Sequence, residues 1–594
     1  MSTILSRNER INQLSHAARQ PHHGIYLTGQ NQIKTLVDQL PDDQLQGGNY
    51  LLASFGNCRC ASDAKAIRQF DQHARVPSGV NQIALGHETL QIVLEAPEGS
   101  NVVPGDIVVV TPGHATEPID PLTFLPDDKG VLASLGYSYR YLGGLRQFNL
   151  VPATAPEFVR KQGFGNFFNK VYRQEKTSMI SLAHAEPFAC NYGTNKHIFT
   201  IGQNDEFQYG VPPRSVITYL SGTARMAMIN LTIVASVEDK DLPRVVYVTG
   251  SQSKLDDMNE YALIRGLRDR GTKVVLIDRK DPDILNKLVE YGRSDVVWTN
   301  YPSEDTYQQA TAIMARGGNL NNYAGAVDPE LLLRMPVGKA EDFSSFEEEA
   351  VSQINQMHHN QSPNDPNRYR GLSEEPKVLM LGFEPSSPRA HAYLKQISDN
   401  IPVAFDPRAD GGFTDVFIAG RGEVAATYYT KIEDKLARSA AVNFVDGELI
   451  VPIRSKSAHY VSRHQICGKN VPWSMTNTSE PHSSDMLVHA ANPVSFDWMV
   501  KGICGLRSVP EMMSEVEKSQ PFGSFFAFAE LLDLPFVEAT SSSFFDAANQ
   551  SQNNHKDALT RAGKTLAEND DIWSREVEKS LYHGYGIPYP LDLE

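Results

Sequence analysis

The chain reads as an α/β protein: an N-terminal, partly open β-barrel, then a doubly wound parallel sheet, with a smaller α/β unit inserted into that framework. Three observations predict it. Short apolar strands punctuated by Gly and Pro run between Tyr50 and Val110. From Ser215 onward, buried-type strands alternate with helical stretches, as in a parallel sheet covered on both faces. After a polar, charged stretch over 340–375, strand and helix signals alternate a second time between Lys377 and Val445.

At 594 residues the chain is long enough for roughly two to four domains. A formal charge of −16 argues against a general nucleic-acid or anionic-membrane partner. Five cysteines, Cys58, Cys60, Cys190, Cys467 and Cys504, are too few for a disulfide framework and fit a reducing compartment. The first residues, Met1 to Arg7, carry no apolar core of signal-peptide length. No stretch approaches the roughly 20 apolar residues of a membrane span. The expectation is a cytoplasmic enzyme.

Residues 1–44 are polar with scattered helix signals and no motif, an N-terminal extension packed on the domain that follows. Strand-like alternation then begins at Tyr50-Leu51-Leu52-Ala53-Ser54 and leads into Asn57-Cys58-Arg59-Cys60-Ala61-Ser62-Asp63. Gly86-His87-Glu88 opens the next strand-like run. Cys60, His87 and Glu88 are three candidate ligands for one zinc ion, and Glu186 in Ala185-Glu186-Pro187 is a fourth. A catalytic zinc keeps three protein ligands and one exchangeable position, and a Cys/His/Glu set has that form. Residue types alone are weak grounds, since an isolated Cys with a His-Glu pair downstream is more often structural.

The wording around these residues is more specific. Cys60-Ala61-Ser62-Asp63, Leu85-Gly86-His87-Glu88 and Val103-Pro104-Gly105-Asp106 followed by Ile107 to Val110 resemble the N-terminal part of the zinc-dependent medium-chain alcohol and polyol dehydrogenases. Within that superfamily the chain is most similar to sorbitol dehydrogenase and the bacterial L-sorbose-1-phosphate reductases, over roughly 45–335 and 455–535. The resemblance implies a GroES-like barrel for the catalytic domain and a Rossmann fold for the parallel sheet. It implies that Cys60 is a ligand rather than Cys58, because Cys60 heads the Cys-x-Ser-Asp pattern. It also implies that Glu88 touches the metal directly, and that Ser62 relays the alcohol proton; taken alone, Ser62 reads equally as a turn-capping serine. Asp63 is placed to orient a ligand from behind. The stretch from Pro112 to Gly130, where many relatives hold a second, structural zinc with four cysteines, contains no cysteine, so one zinc is expected. Gly136 to Gly144 resembles the segment bordering the substrate pocket.

Ser215 to Leu220 is the first strand of the parallel sheet, with further strands at Arg244–Thr249, Lys273–Asp278, Asp295–Asn300 and Gly318–Gly325. Between the first strand and its helix, Gly222-Thr223-Ala224-Arg225-Met226-Ala227 occupies the place of the dinucleotide motif G-x-G-x-x-G, with alanine at its second and third glycines. The alanine at the second position adds a Cβ where backbone meets pyrophosphate. Arg225 is either a phosphate contact or a solvated surface charge. The second strand ends in Thr249-Gly250-Ser251-Gln252-Ser253-Lys254, without the acid that an NAD site places there. Gly250, Ser251 and Lys254 favour the extra phosphate, so NADP(H) is preferred over NAD(H). A rival register makes Gly250-Ser251-Gln252-Ser253 the phosphate turn and Asp278 the ribose acid, which favours NAD(H).

Beyond Gly325 the chain departs from the resemblance. The segment at 377–445 reads as a βαβ-type accessory or oligomerisation unit, since Gly382-Phe383-Glu384-Pro385-Ser386 makes a poor anion cradle. Met499 to Leu506 resembles the last Rossmann segment, and 545–594 reads as a polar helical tail. The expected domains are 1–200 (extension and zinc catalytic domain), 201–335 (Rossmann), 336–455 (insert), 456–510 (end of Rossmann) and 511–594 (return and tail). The expected activity is zinc-assisted hydride transfer between NADP(H) and a polyol, ketose or sugar phosphate, in a homodimer or homotetramer. The alternative is a lyase, epimerase or cyclase that uses a tightly held nicotinamide without net redox change.

Overall fold

The computed structural model describes residues 6–40, 48–70, 76, 81–110, 114–115, 133–134, 143–151, 168–171, 177–201, 207–300, 303–323, 332–336, 377–395, 402–420, 423–432, 435–444, 448–452, 463–466, 473–477, 483–519, 523–551 and 554–592. The fold is α/β, as expected, and the chain divides into two units. One joins Met1–Ala189 to Pro481–Glu594, and the other is Cys190–Glu480. The Gly136–Gly144 segment lies mostly outside the described residues, as does most of Pro112–Gly130; Cys467 and 340–375 lie wholly outside them.

In the first unit, strand Tyr50–Cys58 is buried along its whole length. It is the hub of an eight-stranded sheet ordered Phe168–Lys170, Ile107–Val110, Glu88–Glu95, Tyr50–Cys58, Ser524–Phe528, Val500–Gly505 and Val537–Glu538, with Phe148–Val151 pairing on the hub off that path. The antiparallel register sets Cys58 opposite Glu88 and Asn57 opposite Thr89. That pairing brings the segment after Cys58 beside the turn that leads into Glu88.

The N-terminal extension is more structured than its composition suggests. Helix Arg7–Ala18 opens on a capping box between Ser6 and Glu9 and buries Ile11, Leu14 and Ala18. Strands His22–Leu27, Ile33–Asp38 and Ile83–Ala84 form a separate three-stranded sheet. The C-terminal stretch is likewise core rather than a polar tail. Helices Ser541–Gln550, Asn554–Glu568 and Arg575–Gly584 bury Phe544, Leu559, Leu566, Leu581 and Tyr582, and the link between the last two buries Trp573, in the cluster that contains Leu51, Phe55 and Phe526. Their apolar residues recur at helical spacing on one face, and the intervening charges give the segment its polar average.

The second unit carries an eleven-stranded sheet. Its first six strands run in the order Lys273–Asp278, Val245–Gly250, Val216–Leu220, Ser294–Thr299, Met314–Asn322 and Trp473–Asn477, all parallel. This is the doubly wound order 3-2-1-4-5-6. The inserted stretch adds Val403–Ala404, Val378–Leu381, Phe413–Ile418, Leu436–Phe444 and Arg463–Ile466, again mutually parallel, in the order 2-1-3-4-5. The two series meet at one antiparallel pair, Arg463–Ile466 against Trp473–Asn477.

Two boundaries differ from the sequence reading. The sixth parallel strand is Trp473–Asn477, whereas Val500–Gly505 belongs to the sheet of the first unit. Arg463–Ile466, assigned to the end of the Rossmann domain, belongs to the insert's own parallel series. A short apolar strand fits any sheet buried on both faces, so local pattern cannot choose between sheets. Trp473-Ser474-Met475-Thr476-Asn477 is too polar to announce a central strand.

Candidate metal centre

Helix Ala61–Gln69 starts directly after strand Tyr50–Cys58, and Cys60 is its N-cap, in extended backbone conformation. Asp63 closes that first turn by accepting from the Cys60 N–H at 3.3 Å. Its other carboxylate oxygen accepts from the Gly86 N–H at 3.3 Å and lies 3.5 Å from His87 Nδ1. One fully buried carboxylate therefore ties the helix start to the His87 turn. Gly86 has φ +93°, and a Cβ there would fall 2.8 Å from Asn57 Oδ1 and 2.9 Å from the Leu145 backbone nitrogen. The turn holds its shape because that position is glycine.

Cys60, His87 and Glu88 each present one ligand atom within 4.8 Å of the others. Ser62 Oγ donates to Cys60 Sγ at 3.0 Å and lies 3.0 Å from His87 Nε2. His87 thus presents Nε2 to this group while Nδ1 faces Asp63, the arrangement of a metal-ligating histidine backed by a carboxylate. Burial and the Glu88 carboxylate push the Cys60 thiol upward. Burial lowers the His87 pKa, but the Cys60 sulfur and Asp63 carboxylate outweigh it and raise the ring well above its ordinary value. The Glu88 carboxylate acting on Cys60 and the Asp63 carboxylate acting on His87 concentrate negative charge here, which a divalent cation would relieve. Donor types and spacing fit zinc, which accepts thiolate, imidazole and carboxylate together.

Glu186 stands outside that three-residue set. It sits buried in the first turn of helix Ala185–His197, close enough for its charge to raise the Cys60 thiol. Cys58 is turned elsewhere: its sulfur lies 3.6 Å from His184 Nδ1, and His184 also contacts the Ile180 carbonyl and Ser524 Oγ.

In the second unit, the turn after the first parallel strand carries Ser221 in the left-handed region at φ +56°, a strained conformation for a serine. Thr249 fixes this turn, its Oγ1 accepting from the Ser221 N–H and its carbonyl from the Gly222 N–H. A Cβ on Gly222 would meet Tyr219 Cβ at 2.6 Å, and one on Gly250 would meet Thr223 Cγ2 at 2.3 Å. Ala224 is the N-cap of helix Arg225–Ala235 and makes no side-chain cap. Arg225 and Met226 are half-buried at its start. Val216–Leu220 is the central first strand, between the second and fourth, so the Gly222 turn lies at the topological switch point.

Ser251 is the N-cap position of helix Gln252–Asn259, without a side-chain cap bond, and Lys254 lies in the first turn. Burial and the charge of Arg279 lower the Lys254 pKa. Arg279 was not singled out from the sequence. Its backbone N–H donates to the Gly250 carbonyl, which brings a second cation to the end of the second strand. The only local signal is its position directly after Asp278. That carboxylate accepts from the Lys280 N–H within its own turn.

No family model matches the sequence. The uncharacterized protein YggP of Escherichia coli (strain K12) is 23% identical over 320 residues, covering 50% of this chain and 67% of that protein. Among solved structures, 2R,3R-butanediol dehydrogenase from Bacillus subtilis is similar at 12% identity, with a TM-score of 0.45 over 86% of this chain and 99% of that one. L-Idonate 5-dehydrogenase from Escherichia coli is similar at 11% identity, with a TM-score of 0.42 over 86% and 99%. Among the described residues, no helix is long and apolar enough to cross a membrane.

Proposed function

We propose that this chain is a zinc-dependent oxidoreductase transferring a hydride between NADP(H) and a hydroxyl or carbonyl group of a polyol, ketose or sugar phosphate. The observation that carries the reading is the convergence of Cys60, His87 and Glu88 with the Ser62 hydroxyl set between sulfur and imidazole. Bound there, zinc would act as a Lewis acid on the substrate oxygen while the nicotinamide supplies or accepts the hydride. Cys60, His87 and Glu88 would hold the metal, and Asp63 fixes the orientation of His87. Ser62 Oγ moves the proton of the substrate hydroxyl. Glu186, whose charge acts on Cys60, is the candidate for a further ligand, with a water as the alternative.

The Gly222–Met226 turn and the uncapped start of its helix suit the pyrophosphate. Ser251, Lys254 and Arg279 suit the additional phosphate of NADP(H), which a carboxylate at that place would repel. The test is metal analysis of the purified chain together with nicotinamide absorbance across sugar alcohols, ketoses and their phosphates, with both dinucleotides. The expected result is one zinc per chain and turnover preferring NADP(H). A chain that retains no zinc after reconstitution and consumes neither dinucleotide would sink the reading.

A further inference from the structure

In the first unit, three stretches of backbone lie side by side: strand His22–Leu27 of the N-terminal extension, Leu85-Gly86 ahead of His87, and the run from Gly144 to Gln147. The Leu85 N–H donates to the Ile25 carbonyl at 3.3 Å, and the Leu85 carbonyl accepts from the Leu145 N–H at 3.1 Å. The Gly86 carbonyl accepts from the Gly144 N–H at 2.8 Å. Gly144 comes so close that a Cβ on it would fall 2.5 Å from Asn57 Oδ1 and 2.6 Å from Thr89 Cβ. The same run is bonded to the extension. The Ile25 N–H donates to the Leu145 carbonyl at 2.8 Å, and the Gln147 N–H to the His23 carbonyl at 3.0 Å.

Arg146 sits in the middle of that run, and it is fully buried. A buried guanidinium is costly unless it is paired. It pairs with Asp38 Oδ2 at the end of strand Ile33–Asp38, and it lies 5.8 Å from the centre of the Tyr26 ring. Tyr26 Oη donates to the same carboxylate oxygen. Burial would raise the Asp38 carboxyl, but Arg146 and the Tyr26 hydroxyl outweigh it and hold it below its usual value, so the pair stays charged. Gly24 leaves the room for this approach, since a Cβ there would meet the Tyr26 ring at 2.8 Å and Arg146 Cγ at 2.9 Å. An apolar side chain of the same volume would fill the place without the cost of desolvation. What the ion pair adds is one defined geometry between the extension and the run from Gly144 to Gln147.

We propose that the N-terminal extension is a clamp on the His87 turn, and that Arg146 is a positioning residue acting on His87 through the backbone of Gly144 and Gly86. Asp38 and Tyr26 hold Arg146, and Arg146 holds Gly144 and Leu145 in place. Their N–H groups hold Gly86 and Leu85, which set where the His87 imidazole stands. Asp63 orients that ring from its Nδ1 side, and the clamp fixes the backbone that carries it. The consequence for zinc rests on the metal reading above, whereas the clamp itself does not.

The test compares Asp38→Asn and Arg146→Met with Leu566→Ala, which lowers Tm from a different apolar cluster than the one that holds Ile25, Leu85 and Leu145. In hydrogen exchange of the full chain without metal, the Gly144 and Leu145 amides should lose about tenfold or more of their protection in both clamp variants and keep it in Leu566→Ala. Zinc affinity should fall roughly tenfold in the clamp variants, and with cobalt in place of zinc their visible bands should shift. Arg146→Lys, which keeps the charge, should recover part of each effect. Tyr26→Phe, which removes only the hydroxyl bond to Asp38, should move the same readouts by a smaller factor. Leu566→Ala should leave zinc affinity and the cobalt bands unchanged. Undiminished protection at Gly144 and Leu145 in the clamp variants overturns the proposal. An equal loss in Leu566→Ala, or cobalt bands that stay put despite lost protection, overturns it as well. A wild-type chain that takes up no metal defeats the metal reading alone, and the exchange data then decide the clamp.

Discussion

At the scale of single residues, Asp63 is the side chain on which the candidate metal centre turns. It contacts the Cys60 N–H, the Gly86 N–H and His87 Nδ1 at once, so it ties two chain segments and orients one ligand. Asp63→Asn keeps the size but replaces one of the two accepting oxygens with a donating amide. Zinc affinity should fall roughly 10- to 100-fold, measured by competition with a chromophoric chelator, with the fold retained by circular dichroism. Cys60→Ser should remove both zinc and activity. Zinc bound at full stoichiometry in that variant would reject Cys60 as a ligand. In the second unit, Lys254→Ala and Arg279→Ala should each raise the Kd for NADPH about tenfold or more, as expected for a charge-assisted contact, and leave NADH nearly unchanged. Equal weakening of both would refute the phosphate assignment. Lys254 was visible in the sequence because it follows the glycine turn. Arg279 was not, because its nearness to Gly250 is a consequence of the pairing of parallel strands.

At the scale of elements, the C-terminal helices are locked to the start of helix Met179–Ala183 by Glu578. That carboxylate accepts from the Met179 and Ile180 N–H groups, from Trp573 Nε1 and from Tyr589 Oη. Burial nevertheless raises its pKa to about 7, against the lowering effect of Tyr589 and the Met179 N–H. A carboxyl raised in the folded state contributes stability that is fully present below its unfolded value and lost as pH rises through the folded one. The loss should therefore accumulate between about pH 4.5 and about 7. Glu578→Gln should flatten the dependence of Tm on pH across that window. An unchanged slope would show that other groups set it. Asp497 is held by Ser178, Ser181 and Ser495, and burial raises it to about 6, so it adds to the slope with the same sign. None of this was legible in a stretch read as a polar tail, because composition averages over the two faces of an amphipathic helix.

At the scale of the whole molecule, the insert is a continuation of a sheet. Its five strands would leave one edge bare, and the six-stranded series would leave another at Trp473–Asn477. Pairing Arg463–Ile466 against Trp473–Asn477 closes both edges at once. Met475 lies on a strand bonded on both sides, to Met314–Asn322 and to Arg463–Ile466, so proline there must break a ladder. Met475→Pro should cost about 3 kcal/mol or more. In hydrogen exchange, protection should fall around 463–466 and persist at 245–250. Uniform loss across both series would mean that they fold as one cooperative body.

By itself the sequence determined the α/β class, the succession of parallel strands from Val216, the Gly222 turn and the three side chains Cys60, His87 and Glu88. These are properties of short windows: the period of apolar residues, the conformational demands of glycine, and donor types with metal affinity. Only the tertiary structure decided which sheet each short strand joins, that Cys58 faces His184 rather than the candidate metal centre, that Arg279 stands beside Lys254, and that Glu186 sits close enough for its charge to act on Cys60. Those outcomes depend on strand pairing and burial between segments far apart in the chain, and no local pattern records which distant backbone will supply the hydrogen bonds.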